Sequence, residues 1–106
     1  MFFAKTPEIR DFEVWTSMPE AFRRSRRSDW ADANRGGTPV DSFLEGPVFD
    51  AAGNLYVTDI PWGRIFRITP EREWTLVAEY DGEPNGMKFI APGKLLITDY
   101  KNGLIA

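Results

Sequence analysis

Two oxygen-bearing side chains occupy equivalent positions in a sequence pattern that is written twice. Glu45 precedes Gly46, and Asn85 precedes Gly86 40 residues further along the chain. A carboxylate and an amide carbonyl are hard oxygen ligands of the kind that Ca²⁺, Mg²⁺ and Mn²⁺ prefer and Zn²⁺ tolerates. The glycine after each candidate lets the backbone pass close to a ligand. The pair therefore predicts a divalent-cation site with Glu45 and Asn85 as ligands.

Each of these residues alone also has an ordinary structural explanation. Asn-Gly most often forms a hairpin turn, and a glutamate before Gly-Pro is most often a loop carboxylate. The repeat argues against a turn at Gly86, because the hairpin turns of this pattern belong at Gly53 and Gly93. The chain has neither His nor Cys. Any chemistry must therefore use carboxylates, amides, Arg, Lys, Tyr or a bound ion.

The repeated pattern organises the chain from Glu45 to Ala106. Its copies cover residues 45–59 and 85–99 and are rich in β-branched residues that alternate with polar ones. A helical repeat of similar length is the rival interpretation, but a period near two favours strands. A repeat of about 40 residues built from strands and turns is typical of a β-propeller blade with four strands.

The pattern predicts the strands and the domain organisation. In the first copy we expect strands over 46–50, 54–59, 64–69 and 74–80. Gly63 and Gly103, like Ile65 and Ile105, continue the same register. The chain then divides into a lead-in (1–44), a first blade (45–84) and the start of a second blade (85–106).

The lead-in predicts one strand and one short helix. Residues 11–16 alternate, with Phe12 and Val14 on one face, and could close a propeller by joining its last blade. Residues 16–20 resemble a helix start, with a hydroxyl cap from Thr16 or Ser17 and Pro19 in the first turn, which predicts a helix over 19–25. The basic run after it consists of Arg23, Arg24, Arg26 and Arg27.

The basic run could bind phosphate or nucleic acid, but a solvated helix face paired with Asp29 and Asp32 is the simpler interpretation. No aromatic residues interleave with the run, and residues 1–44 hold seven basic and seven acidic side chains. Nucleic-acid binding is therefore not expected.

Other conspicuous residues have mainly structural interpretations. Asp59 and Asp99 end equivalent strands before a turn, where aspartate caps backbone amides. Trp62 and Tyr100 follow them, either as pocket walls or as packing aromatics. We expect the two arginines of the third strand to lie on one face and either to face solvent or to pair with nearby glutamates. These residues are Arg64, Arg67, Glu71 and Glu73.

Composition limits the class of protein. The chain has 106 residues, of which 42% are apolar and 14% aromatic, enough for the core of one domain. A net charge of −3 gives no bulk attraction to nucleic acid or to an anionic membrane. No apolar run is long enough to span a membrane, and the first residues lack the apolar core of a signal peptide. A cytoplasmic location is the expectation.

The length also predicts that partners cover the sheets. A propeller ring needs at least four blades, or roughly 160 residues at this period, and two copies are present here. We expect either the remainder of a propeller or self-association to cover the open faces. Those faces carry Val48, Phe49, Leu55, Met87, Phe89 and Leu95.

The blade residues resemble the senescence marker protein/regucalcin/gluconolactonase family. Residues 44–50 and 53–59 are similar to its opening blade, and Pro84-Asn85-Gly86-Met87 is similar to its second-blade motif. Residues 28–34 and 41–43 resemble the lead-in of bacterial members. The likeness covers nearly the whole chain and is most specific over 43–103.

The resemblance implies a six-bladed propeller with a divalent cation on its axis that hydrolyses lactones or related esters. It implies that Glu45 is a metal ligand and that Asn85 contacts the metal, most often Ca²⁺, or the substrate. The third-blade Asn and the fourth-blade Asp of the family have no counterpart here. This chain then carries part of a site, and its catalytic base is unassigned. A propeller-type binding or scaffold protein and an inactive truncated fragment are the alternatives.

Overall fold

The protein, described here from a computed structural model of residues 4–24 and 26–106, folds mainly into two antiparallel sheets. The predicted all-β class is confirmed, and both sheets are open. The first sheet has the order β1-β2-β3-β4 and the second β5-β6-β7. Their bounds are β1 Leu44–Phe49, β2 Leu55–Asp59, β3 Arg64–Ile68, β4 Trp74–Glu79, β5 Pro84–Ala91, β6 Lys94–Asp99 and β7 Gly103–Ile105.

The turn between β1 and β2 is encoded locally. The Asp50 carboxylate accepts hydrogen bonds at 2.9 Å from the backbone amides of both Ala52 and Asn54. Gly53 has a φ of +83°, which only glycine adopts without strain. The Asp50 side chain thus stabilises the turn by binding its backbone amides. The four strands predicted for the first copy begin and end within one or two residues of the observed strands.

The repeat of 40 residues is present in the strand pairing. Leu44 pairs with Asp59 in the first sheet, and Pro84 pairs with Asp99 in the second. Phe49 with Leu55 has its counterpart in Phe89 with Leu95. The first two strands of each sheet therefore share one register.

The repeat loses this register after the second strand, and here the sequence-based prediction is wrong. Asp59 pairs with Arg64 across a four-residue turn, whereas Asp99 pairs with Gly103 across a three-residue turn. Gly103 thus occupies the position of Arg64, and Gly63 instead ends a 3₁₀-helix in a left-handed conformation. A turn one residue shorter moves each following residue to the other face.

One face of the first sheet is covered by the lead-in. Met18 packs with Val57, Phe66 and Ile68 in a buried cluster, and Phe22 contacts this cluster at its edge. The Phe22 and Phe66 rings meet edge to face at 5.0 Å. Further partly buried contacts come from Leu55, Trp74 and Leu76. Leu55, predicted on an open face, is therefore packed against the cluster, because the lead-in folds back over it.

The other face of the first sheet meets the second sheet. The Tyr56 ring of β2 contacts the Phe89 ring of β5 at 5.2 Å in an edge-to-face arrangement. On the same face, the Thr58 hydroxyl donates a hydrogen bond to the Asn85 carbonyl oxygen at 2.9 Å. Phe89, also predicted on an open face, thus lies against the first sheet. Phe49, Ile90 and Leu104 remain largely exposed.

The predictions for the start of the lead-in are wrong. Residues 11–16 form no strand, and Phe12 and Val14 are 96% and 77% exposed. Alternation alone does not make a strand, which needs a partner edge. The helix predicted over 19–25 is reduced to a 3₁₀-helix, Glu20–Phe22, and residue 25 lies outside the described residues. Thr16 does not cap it, because its hydroxyl accepts a hydrogen bond from the Trp74 indole at 3.1 Å.

The longest helix in the described part of the chain is α1, Asp29–Asn34. Its cap is Ser28, whose hydroxyl accepts a hydrogen bond from the Ala31 amide at 3.1 Å. Trp30 and Ala31 are buried against Ile60, so tertiary packing stabilises this six-residue helix. No helix in residues 4–24 or 26–106 combines the length and apolarity needed to cross a membrane.

The basic run precedes α1 and does not form the predicted helix face. Arg27 is paired with Asp32 at 3.0 Å, as expected. Arg24, however, is paired with Glu79 of β4 at 2.6 Å. The Arg24–Glu79 pair thus connects the lead-in to the first sheet, whereas the Arg27–Asp32 pair lies within the lead-in.

Candidate functional site

Glu45 and Asn85 lie at the irregular beginnings of the first strand of each sheet. The pairing of β1 shifts between Glu45 and Val48, and that of β5 shifts between Pro84 and Met87. Asn85 lies inside β5. The alternative that Asn85-Gly86 forms a hairpin turn is thereby excluded. The hairpin turns occur at Gly53 and Gly93, as the repeat predicts.

The two strand beginnings are in contact through their backbones. Gly46 has a φ of +57°, and a Cβ at this position would overlap the backbone carbonyl oxygen of Asn85. Only glycine allows both the conformation and this approach. The Thr58 hydroxyl donates to the same carbonyl oxygen. The repeat thus places the residue after Glu45 directly against Asn85.

The side-chain oxygens of both candidates are little used by the protein. Glu45 is exposed, and its carboxylate accepts one long hydrogen bond, from the Gly46 amide at 3.3 Å. The Asn85 side-chain nitrogen donates to the Tyr100 hydroxyl at 2.8 Å. Within residues 4–24 and 26–106, no donor contacts the Asn85 side-chain oxygen. Both side chains therefore keep oxygen atoms that could bind a cation.

This donor set fits part of a cation site. Calcium takes six to eight oxygen ligands, whereas this pair supplies one carboxylate and one amide oxygen. In the described residues, no group of three or more His, Cys, Asp or Glu side chains is arranged to hold a metal ion. Glu45 and Asn85 are thus suited to be two ligands among several.

Asp59 and Asp99 have matching structural roles at the ends of β2 and β6. Asp59 accepts a hydrogen bond from the Phe43 amide at 2.8 Å, and Asp99 accepts one from the Glu83 amide at 3.1 Å. Phe43 and Glu83 are themselves 40 residues apart and precede the first strand of each sheet. Each aspartate thus fixes the segment that leads to one candidate ligand, Glu45 or Asn85.

The Asp99 environment shifts three pKa values. Burial opposes its ionisation, but hydrogen bonds, chiefly from the Tyr80 hydroxyl at 2.6 Å and from backbone amides, outweigh this and lower the pKa of Asp99. Burial, followed by the bond to Asp99, raises the pKa of Tyr80. Burial, followed by the Asp99 charge, raises the pKa of Glu83. A carboxyl that ionises less readily than usual therefore lies two residues before Asn85.

The third-strand arginines do not share one exposed face, contrary to the sequence-based prediction. Arg64 is buried and donates two hydrogen bonds to Asp59, at 3.0 and 2.6 Å. Arg67 is partly buried, and its Nε has no hydrogen-bond partner in the part of the chain that the structure describes. Side chains three residues apart in a strand point to opposite faces of the sheet. The Arg64 and Arg67 side chains therefore lie on different faces.

The two loop aromatics differ in their contacts. Trp62 donates from its indole to the Asp41 carbonyl oxygen at 2.9 Å, and the Arg26 guanidinium lies 5.1 Å from its ring. Tyr100 is 68% exposed and contacts Asn85 through its hydroxyl. Sequence reasoning missed the Tyr100–Asn85 contact. Its only sequence signal was the equivalent spacing of these loops after β2 and β6.

Comparison of the chain with protein-family models, curated proteins and solved structures finds no match. A functional assignment therefore depends on the residues of the chain itself. Those that matter are Glu45 and Asn85, the glycines after them and the contacts that fix their strands.

Proposed function

We propose that this chain is the N-terminal part of a metal-dependent hydrolase of lactones or related esters. One observation carries the proposal: Glu45 and Asn85 begin equivalent strands whose backbones touch at Gly46 and Asn85. Two oxygen ligands on strands of two packed sheets could form part of a cation site. The resemblance of residues 43–103 to the gluconolactonase family supplies the reaction class.

The architecture that we propose is a six-bladed β-propeller, of which the two sheets are neighbouring blades. The shared strand register and the edge-to-face contact of Tyr56 with Phe89 support this arrangement. The Thr58 hydroxyl joins the first sheet to β5, and Thr98 occupies the equivalent position in the second sheet. Two open sheets do not form a ring, so the proposal requires further blades.

The chain's own residues would bind the cation and orient the substrate. Glu45 would supply a charged ligand, and Asn85 would contact the cation or a substrate oxygen through its amide. A divalent cation, Ca²⁺ or one of Zn²⁺, Mg²⁺ and Mn²⁺, would polarise the lactone carbonyl and activate water when bound. Gly46 and Gly86 would keep the strand beginnings free of side chains. The remaining ligands and the base would come from other blades.

The proposed partners follow from this site and from the open sheets. The substrate is a small lactone or ester, and the second sheet would be covered by the remaining blades or by another copy. Neither a nucleic acid nor a membrane is a proposed partner, and the cytoplasm is the proposed compartment. A non-catalytic propeller is the second candidate function, since two oxygen ligands could bind Ca²⁺ without any reaction.

The test is lactone hydrolysis by the full-length protein. Proton release from an aldonolactone is measured with the protein as purified, after EDTA treatment and dialysis, and after Ca²⁺ or Zn²⁺ is restored. We expect hydrolysis that chelation abolishes and the metal restores. Cation binding without hydrolysis of any lactone or ester offered would instead support the binding or scaffold protein. An absence of both would support the inactive fragment.

A further inference from the structure

The hydroxyl of Tyr100 accepts a hydrogen bond from the side-chain nitrogen of Asn85 at 2.8 Å. We infer that Tyr100 is a positioning residue that fixes the Asn85 amide so that its oxygen faces the cation. The inference rests on the proposed function, because it assigns Asn85 a role as ligand. An amide whose nitrogen is held has one oxygen orientation left to offer.

The position of Tyr100 is itself fixed by the segment that leads into β5. Its backbone amide donates to the Glu83 carbonyl oxygen at 3.0 Å. The preceding residue, Asp99, accepts hydrogen bonds from the amides of Lys101 and Asn102 and from the Glu83 amide. One carboxylate thus holds both the turn that carries Tyr100 and the chain just before Asn85. Such support is what a precisely oriented ligand requires.

The residue of the first sheet that is equivalent to Tyr100 has a different structural role. Ile60 occupies it, is 2% exposed and packs under α1 against Trp30. Its amide donates to the Phe43 carbonyl oxygen, as the Tyr100 amide does to Glu83. The backbone geometry therefore repeats, but the side chain changes from a buried aliphatic to an exposed phenol.

An exposed tyrosine contributes little to folding through burial. Tyr100 lines an open groove of about 290 Å³. Other residues of this groove are Asn85, Thr98 and Leu104. The Tyr100 side chain thus lies in the groove through which a cation or substrate would reach Asn85. This placement favours a role in the site over a role in the core.

The test is a calorimetric Ca²⁺ titration of the full-length parent, Tyr100→Phe and Tyr56→Phe. Removing a side chain that orients a metal ligand typically costs 10- to 100-fold in affinity. Because this hydrogen bond is exposed, we expect a loss of about tenfold for Tyr100→Phe. Tyr56→Phe removes a tyrosine hydroxyl outside the candidate site, and this variant should bind Ca²⁺ like the parent.

A double substitution separates positioning from general disturbance. In the Asn85→Ala background, Tyr100→Phe should have no further effect on Ca²⁺ affinity, because the group that it orients is gone. Equal losses in both backgrounds would overturn the inference. So would parental Ca²⁺ affinity with a raised KM, which would make Tyr100 a substrate contact.

The outcomes also separate this inference from the proposed function. If the parent binds Ca²⁺ through Glu45 and Tyr100→Phe binds equally well, the inference fails and the proposed function stands. If the parent binds no divalent cation, both fail together. Circular dichroism of each variant, with a spectrum that matches the parent, confirms that the fold is intact.

Discussion

The carboxylate of Asp59 receives two hydrogen bonds from the guanidinium of Arg64, and both side chains are buried in the first sheet. Asp59 also accepts hydrogen bonds from the Ser42 hydroxyl and the Phe43 amide. The two oxygens of this carboxylate thus accept four hydrogen bonds. The pair joins β2 and β3 to the segment that enters β1, and its contact with Phe43 lies two residues before Glu45.

Asp59→Asn should strongly destabilise the protein, because it leaves the buried Arg64 charge uncompensated. Removing one partner of a buried pair typically costs about 3–5 kcal/mol of the free energy of unfolding. Urea denaturation followed by tryptophan fluorescence measures the change. Glu8→Gln is the control, since the Glu8–Arg10 pair is exposed. A loss of less than about 1 kcal/mol for Asp59→Asn would show that the pair is solvated.

Asp99 should make stability depend on pH in the acidic range. Its pKa in the folded protein is lowered from 3.8, so the folded state favours the ionised carboxylate. Its stabilisation is therefore complete above the unfolded value and is lost as the pH falls through the folded pKa. The difference in Tm between the parent and Asp99→Asn should shrink as the pH decreases from 6 to 2. A difference that stays constant over this range would contradict the assignment.

Gly46→Ala should destabilise the protein more than Gly93→Ala. Both glycines have positive φ, which costs another residue roughly 1–2 kcal/mol. A Cβ at Gly93 meets open space, whereas at Gly46 it would overlap the Asn85 carbonyl. Overpacking of this kind adds about 1–3 kcal/mol. Urea denaturation of both variants measures the difference, and equal losses would mean that the strand beginnings are not in close contact.

Local patterns predicted the sheets well because strands and turns depend on nearby residues. The alternation of apolar and polar residues predicts β2 and β3. Asp50 and Gly53 determine the hairpin turn between β1 and β2. The lead-in was predicted poorly because its structure depends on distant contacts. Thr16, expected to cap a helix, bonds instead to Trp74 on β4, and the helix α1 is stabilised by packing on Ile60.

The candidate site shows the same division. The register of the repeat was enough to single out Glu45 and Asn85 and to reject a hairpin at Gly86. It could not reveal the contact of Tyr100 with Asn85, which depends on how the turn after Asp99 folds. The burial of Arg64 was not predicted because Arg64 and Arg67 were assigned to one face of the strand. Side chains three residues apart point to opposite faces, so only one of the two could face solvent in this way.

A calorimetric Ca²⁺ titration of Glu45→Gln beside the parent is the most direct test of the proposed site. Glu45→Gln keeps the size of the side chain and removes its charge, and Glu71→Gln on an exposed loop is the matched control. We predict that Glu45→Gln weakens binding by more than about tenfold, since losing a ligand should exceed losing a residue that orients one. The control should bind like the parent. Unchanged affinity in Glu45→Gln, with the fold intact by circular dichroism, would show that Glu45 is a loop carboxylate and remove the first ligand of the proposed hydrolase.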